Sequence, residues 1–141
     1  MPTIDGDAHV MEGPQTWTYC DPSERKFMPV LLNPGPEADR QFWLIDGKIR
    51  GHVRHVIKAK DFRALAQASG RDMVVPPEAQ HLEDIPARIH HMDEMGIDIQ
   101  VMYPTIFIQQ VTAKPEFEVA ICKAYNRRMA DVWEQGNGRL R

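Results

Sequence analysis

Asp7 and His9 stand two residues apart in Thr3-Ile4-Asp5-Gly6-Asp7-Ala8-His9-Val10-Met11-Glu12, and their types and spacing can do chemistry. The stretch reads as a short strand. Successive strand side chains point to opposite faces, so Asp7 and His9 share one, with Thr3 and Asp5 behind them and Ile4, Ala8 and Val10 on the other. A carboxylate and an imidazole presented together at a strand end can offer half of a divalent-metal site. An edge strand whose polar face simply meets solvent would carry the same residues, and a three-residue pattern leaves both readings open.

The remaining elements must position that pair. After the strand, Gly13-Pro14 breaks regularity, Trp17 and Tyr19 supply apolar bulk, and Asp21 to Glu37, with four prolines, should be irregular. Phe42-Trp43-Leu44-Ile45, Asp46-Gly47 and Lys48-Ile49-Arg50 predict a hairpin with a type I′ turn. That turn pairs Ile45 with Lys48, Leu44 with Ile49 and Trp43 with Arg50. Leu44 and Ile49 are then expected on a buried face, with Arg50 across the Trp43 ring.

The strip Lys48, Arg50, His52, Arg54 reads as a solvated strand face rather than a nucleic-acid surface, and His52 and His55 fall on opposite faces. Asp61 to Ser69 suggests a short helix, and Met73-Val74-Val75 an apolar run before Pro76-Pro77. Asp84 can cap a helix with Pro86 in its first turn, Ile85, Ile89 and Met92 as its apolar stripe, and Gly96 as its exit. His90 and His91 leave that helix in adjacent directions, which suits a partly exposed surface role better than a metal pair. Ile97 to Tyr103 reads as a second strand, Ile106 to Val111 as an apolar loop, and Pro115 as the start of a long helix ended by Gly136 and Gly138. Alternation of strand and helix argues for an α/β fold with parallel strands.

Composition sets bounds on function. The chain has 141 residues, net charge −3 and 26% charged residues, which suits one globular domain and gives no global case for nucleic acid or a membrane surface. No apolar run approaches the ~20 residues that span a bilayer. The N-terminus lacks a signal-peptide layout, and Cys20 and Cys122 suggest no disulfide framework, so a cytoplasmic location is expected.

Ile4 to Glu12, the segment Asp84 to Pro104 with its Met-Asp-Glu-Met-Gly-Ile-Asp-Ile-Gln-Val core, and Ala124-Tyr125-Asn126-Arg127 together resemble the amidohydrolase-related family. This is the aminocarboxymuconate-semialdehyde decarboxylase-like branch of the amidohydrolase superfamily. The resemblance implies a TIM (β/α)₈ barrel with a divalent metal at the C-terminal strand ends: zinc first, manganese or iron(II) as alternatives. Asp7 and His9 fall on the positions of that family's His-x-His, giving an acid-x-His variant. Glu12 matches as a loop anchor behind the ligands or as a ligand. Tyr103, Thr105 and Trp43 are substrate-side candidates, set against packing roles for Tyr103 and Trp43.

Residues 1–141 would then form the N-terminal part of one barrel domain: the first two β/α units, with Gly13 to Glu83 as an excursion over the active-site face. Such a barrel needs ~250 residues. The family's later ligands have no counterpart here, and no general acid or base is assigned. The chain is thus read as the N-terminal portion of a longer enzyme, inactive alone, that self-associates or pairs with the missing barrel portion. The expected function is a metal-dependent hydrolase acting on a small organic substrate through a metal-activated water, with a non-oxidative decarboxylase as the alternative. A non-catalytic α/β module binding a partner through the hairpin and the apolar loop is the rival from another class.

Overall fold

Strand β1 (Ile4–Val10) pairs in parallel with β5 (Ile99–Pro104), and this pair organises a mixed α/β fold in a computed structural model of the chain. The structure describes residues 1–33, 40–55, 64, 66–68, 70 and 77–141, without the side chains of residues 51–55 and 77. The short helix expected over Asp61 to Ser69 lies largely outside the described residues, as does Met73-Val74-Val75.

Parity along β1 is not the simple alternation expected. Asp5 pairs with Gln100 but Ala8 pairs with Met102, so three steps on β1 oppose two on β5, and a bulge sits at Gly6-Asp7. The extra residue switches faces. Asp5 therefore belongs with Ala8 and Val10, and Ile4, expected beside them, is exposed. Ala8, Val10 and Met102 pack against Ile85 and Met92 of one helix and Val132 of another. On the far side of β5, Gln100 bridges Leu140 in parallel, with Gln100 N–H donating to the Arg139 carbonyl at 2.8 Å.

The helices form where their signals stand. Helix α1 is the single turn Pro77–Gln80, and α2 spans Ile85–Glu94. Asp84 Oδ1 accepts the Ala87 N–H at 2.9 Å, satisfying one of the four orphan donors of α2's first turn. Gly96 leaves at φ 68°, a conformation glycine adopts without steric cost. His91 corrects the expectation of a surface role: it is buried, with Nδ1 3.5 Å from Glu94, whereas His90 is exposed. Helix α3 runs Pro115–Gln135 and buries Ile121, Ala124, Tyr125 and Val132.

Much of the excursion is a second small sheet, ordered β2 (Val30–Leu32), β3 (Arg40–Ile45), β4 (Lys48–His55), all antiparallel. The turn has Asp46 at φ 51° and Gly47 at φ 71°, the positive pair that a type I′ turn requires, and the register of all three predicted pairs is as expected. The buried face is the opposite one. Trp43 and Ile45 are in the core, while Ile49 is exposed and Leu44 only half-buried. Register sets which residues pair, but which face is covered depends on what packs there. Here that is Trp17 together with Ile106, Val111, Ile121 and Ala124. Strand β2 lies within the segment expected to be irregular; three apolar residues between prolines become a strand only because the edge of β3 offers them partners.

Candidate functional site

The bulge that switches parity also decides what faces the open side of the parallel pair. Asp7 is 90% and His9 41% exposed at the side chain, and Asp7 Oδ1 lies 3.5 Å from His9 Nε2. Tyr103, paired with His9 across the ladder, is 45% exposed, its ring centroid 6.2 Å from the imidazole. Three polar groups thus project from the C-terminal halves of two parallel strands on the face away from the helices. The donor chemistry, one carboxylate and one imidazole, suits a divalent ion of intermediate softness. The number does not suffice: among the described residues no three His, Cys, Asp or Glu side chains are grouped to hold a metal. A catalytic zinc site uses three protein ligands and a water, so Asp7 and His9 are at most part of one.

Glu12 sits just past the strand, 3% exposed, and its carboxylate faces backbone rather than the open side. Oε1 accepts the Thr105 N–H at 2.8 Å and Oε2 the Ile106 N–H at 3.1 Å. These are the first donors of the 3₁₀ turn Ile106–Ile108, where negative charge is favoured. Glu12 therefore ties the loop leaving β1 to the loop leaving β5. Burial and the Glu12 charge push the Tyr125 phenol well above its ordinary range. Thr105 is half-buried, and its hydroxyl has no hydrogen-bond partner among the described residues. Trp43, named among the substrate-side candidates, is instead a core residue, 3% exposed and edge-on to Trp17 at 5.8 Å. A ring enclosed by the second core has no face left for a substrate.

Behind the strand lies a set of polar residues that motif spacing does not single out. Arg88 on α2 donates Nε to Gln100 Oε1 at 2.8 Å and Nη1 to the Ala79 carbonyl at 3.3 Å. Gln100 Nε2 donates to Asp5 Oδ2 at 2.9 Å, and Asp5 Oδ1 accepts the Asp7 N–H at 3.1 Å. Burial lowers the affinity of Arg88 for its proton, and the charge of Asp5 opposes that. The signal available in the sequence was an arginine on the apolar side of a helix and a glutamine amid a strand's apolar residues.

The fold is shared with an amidohydrolase. The crystal structure of an amidohydrolase from Mycobacterium avium subsp. paratuberculosis K-10 is similar to this chain at 22% identity and a TM-score of 0.61. The match covers 99% of this chain and 40% of that one, so the chain spans well under half the length of the protein it resembles. At that identity the likeness is one of fold. No family model matches the chain, and no curated protein matches it. No helix among the described residues is long and apolar enough to cross a membrane.

Proposed function

We propose that this chain supplies the first two β/α units of a (β/α)₈ barrel enzyme, a metal-dependent hydrolase of the amidohydrolase superfamily. Its place is in the aminocarboxymuconate-semialdehyde decarboxylase-like branch, in the cytoplasm. The observation that carries the proposal is the joint emergence of Asp7 and His9, 3.5 Å apart, at the open end of a parallel strand in a chain sharing an amidohydrolase's fold. In TIM barrels the chemistry sits at that end. A divalent metal, zinc before manganese or iron(II), would supply an acidified water for attack on a small organic substrate. Asp7 and His9 would each contribute one ligand, the others coming from beyond the described residues. Tyr103 stands where it can orient a substrate beside them, and Glu12 holds the two loops that frame the opening. The same donors would serve a non-oxidative decarboxylase, which release of CO₂ from a carboxylated substrate would distinguish.

The test is titration of the chain with Co²⁺, followed by absorption. Two donors hold metal weakly, so binding in the high micromolar range or weaker is expected, abolished by Asp7→Ala and by His9→Ala. Both side chains reach the surface, and neither belongs to a buried cluster, so thermal stability should change by less than about 0.5 kcal/mol. Undetectable binding at millimolar Co²⁺, or binding indifferent to both substitutions, would sink the proposal.

Association is the second expectation. The outer edge of β1 has no partner strand among the described residues, and the Asp7 face carries exposed Ile4 and Tyr103. An unpaired strand edge is a template for pairing. Light scattering should show self-association, or co-assembly with a chain carrying the remaining barrel; a monodisperse monomer counts against it.

A further inference from the structure

The parity of β1 is a choice between two registers, and the residues behind the strand decide it. Without the bulge, Asp5 opposite Gln100 would place Asp7 opposite Met102, on the helix side with the apolar core. A one-residue slip exchanges the two faces of a strand. Asp5 opposes Gln100 in both registers, so the bond that selects the bulged one must lie at the bulge itself. Gln100 Nε2, itself fixed by the buried Arg88, holds one oxygen of Asp5. Its other oxygen takes the Asp7 N–H, a donor at the bulge itself. Gly6, at the same place, has nothing within 4 Å of where a Cβ would lie, so close packing there does not impose the bulge.

We propose that Arg88, Gln100 and Asp5 are positioning residues: a register lock that forces the Gly6-Asp7 bulge and thereby presents Asp7 and His9 together on the open face. The lock depends on the proposed metal function only for what Asp7 then holds. Its logic is one of donors and acceptors. Arg88 can only donate, so Gln100 turns its oxygen to Arg88 and its amide nitrogen to position 5. Position 5 must then accept twice, from Gln100 and from the Asp7 N–H, and a carboxylate does so while balancing a buried guanidinium. The balance also explains why Arg88 can occupy the apolar side of α2.

Asp5→Asn tests it in the full chain. An asparagine can present oxygen to Gln100 or to the Asp7 N–H but not to both, so one donor meets another. The double variant Asp5→Asn with Gln100→Glu restores every bond: Glu at 100 accepts from Arg88 and from the new amide, whose oxygen takes the Asp7 N–H. Total charge returns to that of the parent. By NMR, Asp5→Asn should speed exchange of the Asp7 amide about tenfold and erase the cross-peak between the His9 and Tyr103 rings, and the double variant should recover both. Unchanged exchange and an intact cross-peak in Asp5→Asn overturn the lock. A folded double variant that recovers neither also overturns it. If Asp5→Asn does not fold, the double variant decides alone: a native His9–Tyr103 cross-peak supports the lock, and an unfolded double variant refutes it. A parent chain with the cross-peak that binds no Co²⁺ would remove the metal proposal and leave the lock standing.

Discussion

Glu12→Gln separates a loop anchor from a metal ligand. The substitution is nearly isosteric, so packing is preserved while acceptor capacity is halved. One of the two N–H groups now held at 2.8 and 3.1 Å must face an amide NH₂ instead of an oxygen. A hydrogen bond to a buried charged group contributes roughly 1.5–3 kcal/mol, and an orphaned buried donor costs about 1–3. Loss of one bond, with the other weakened by loss of charge, comes to about 3 kcal/mol. For a chain of this length that lowers Tm by about 10 °C. Urea titration at pH 7 followed by Trp fluorescence is a suitable assay, because Trp17 and Trp43 lie in the core beside the tied loop. The Tyr125 phenol should also titrate at lower pH in the variant yet stay above its ordinary value, since burial is the larger cause of its shift and the Glu12 charge the smaller. A variant within about 0.5 kcal/mol of the parent, or one of full stability with weakened Co²⁺ binding, would refute the anchoring argument and return Glu12 to the ligand set.

Two further outcomes follow from the packing and from a hydrogen bond to a carboxylate. Trp43→Ala should cost about 3–5 kcal/mol, since it empties the space beside Trp17 in the second core, while leaving Co²⁺ binding in the surviving folded fraction unchanged; a loss under 1 kcal/mol by denaturation would contradict its core role. Tyr19 donates to Asp131 at 2.5 Å, the main reason that carboxyl sits below its ordinary value. A carboxylate depressed in the folded state stabilises above its unfolded pKa of about 3.9, and that contribution is lost as pH falls through the folded value. The stability difference between parent and Tyr19→Phe should therefore be full at pH 6 and close progressively below about pH 4. A gap that does not vary with pH would show that the phenol acts through packing alone.

Local signals sufficed wherever the determinant lies within a few residues. Asp84, Pro86 and Gly96 bound α2 because capping, proline placement and positive φ are properties of single positions. Asp46-Gly47 forced the turn, and the turn forced the hairpin register, for the same reason. The association of an acid and an imidazole at one strand end was also legible, since spacing two on a strand is a geometric statement.

What spacing could not contain was anything decided by a distant partner. The buried face of the hairpin is Trp43 and Ile45 rather than Leu44 and Ile49, because Trp17 and the 3₁₀ turn after β5 cover that side. Strand β2 exists because β3 has an edge to offer it. His91 is buried because α2 packs with that side toward the rest of the chain. Period two fails within β1 where Asp5, held by Gln100 ninety-five residues away, takes the Asp7 N–H with its other oxygen. Chain chemistry by itself settled which residues carry reactive groups and where the sharp turns fall. Only the tertiary structure settled which face each one reaches, since a face is defined by what covers its opposite.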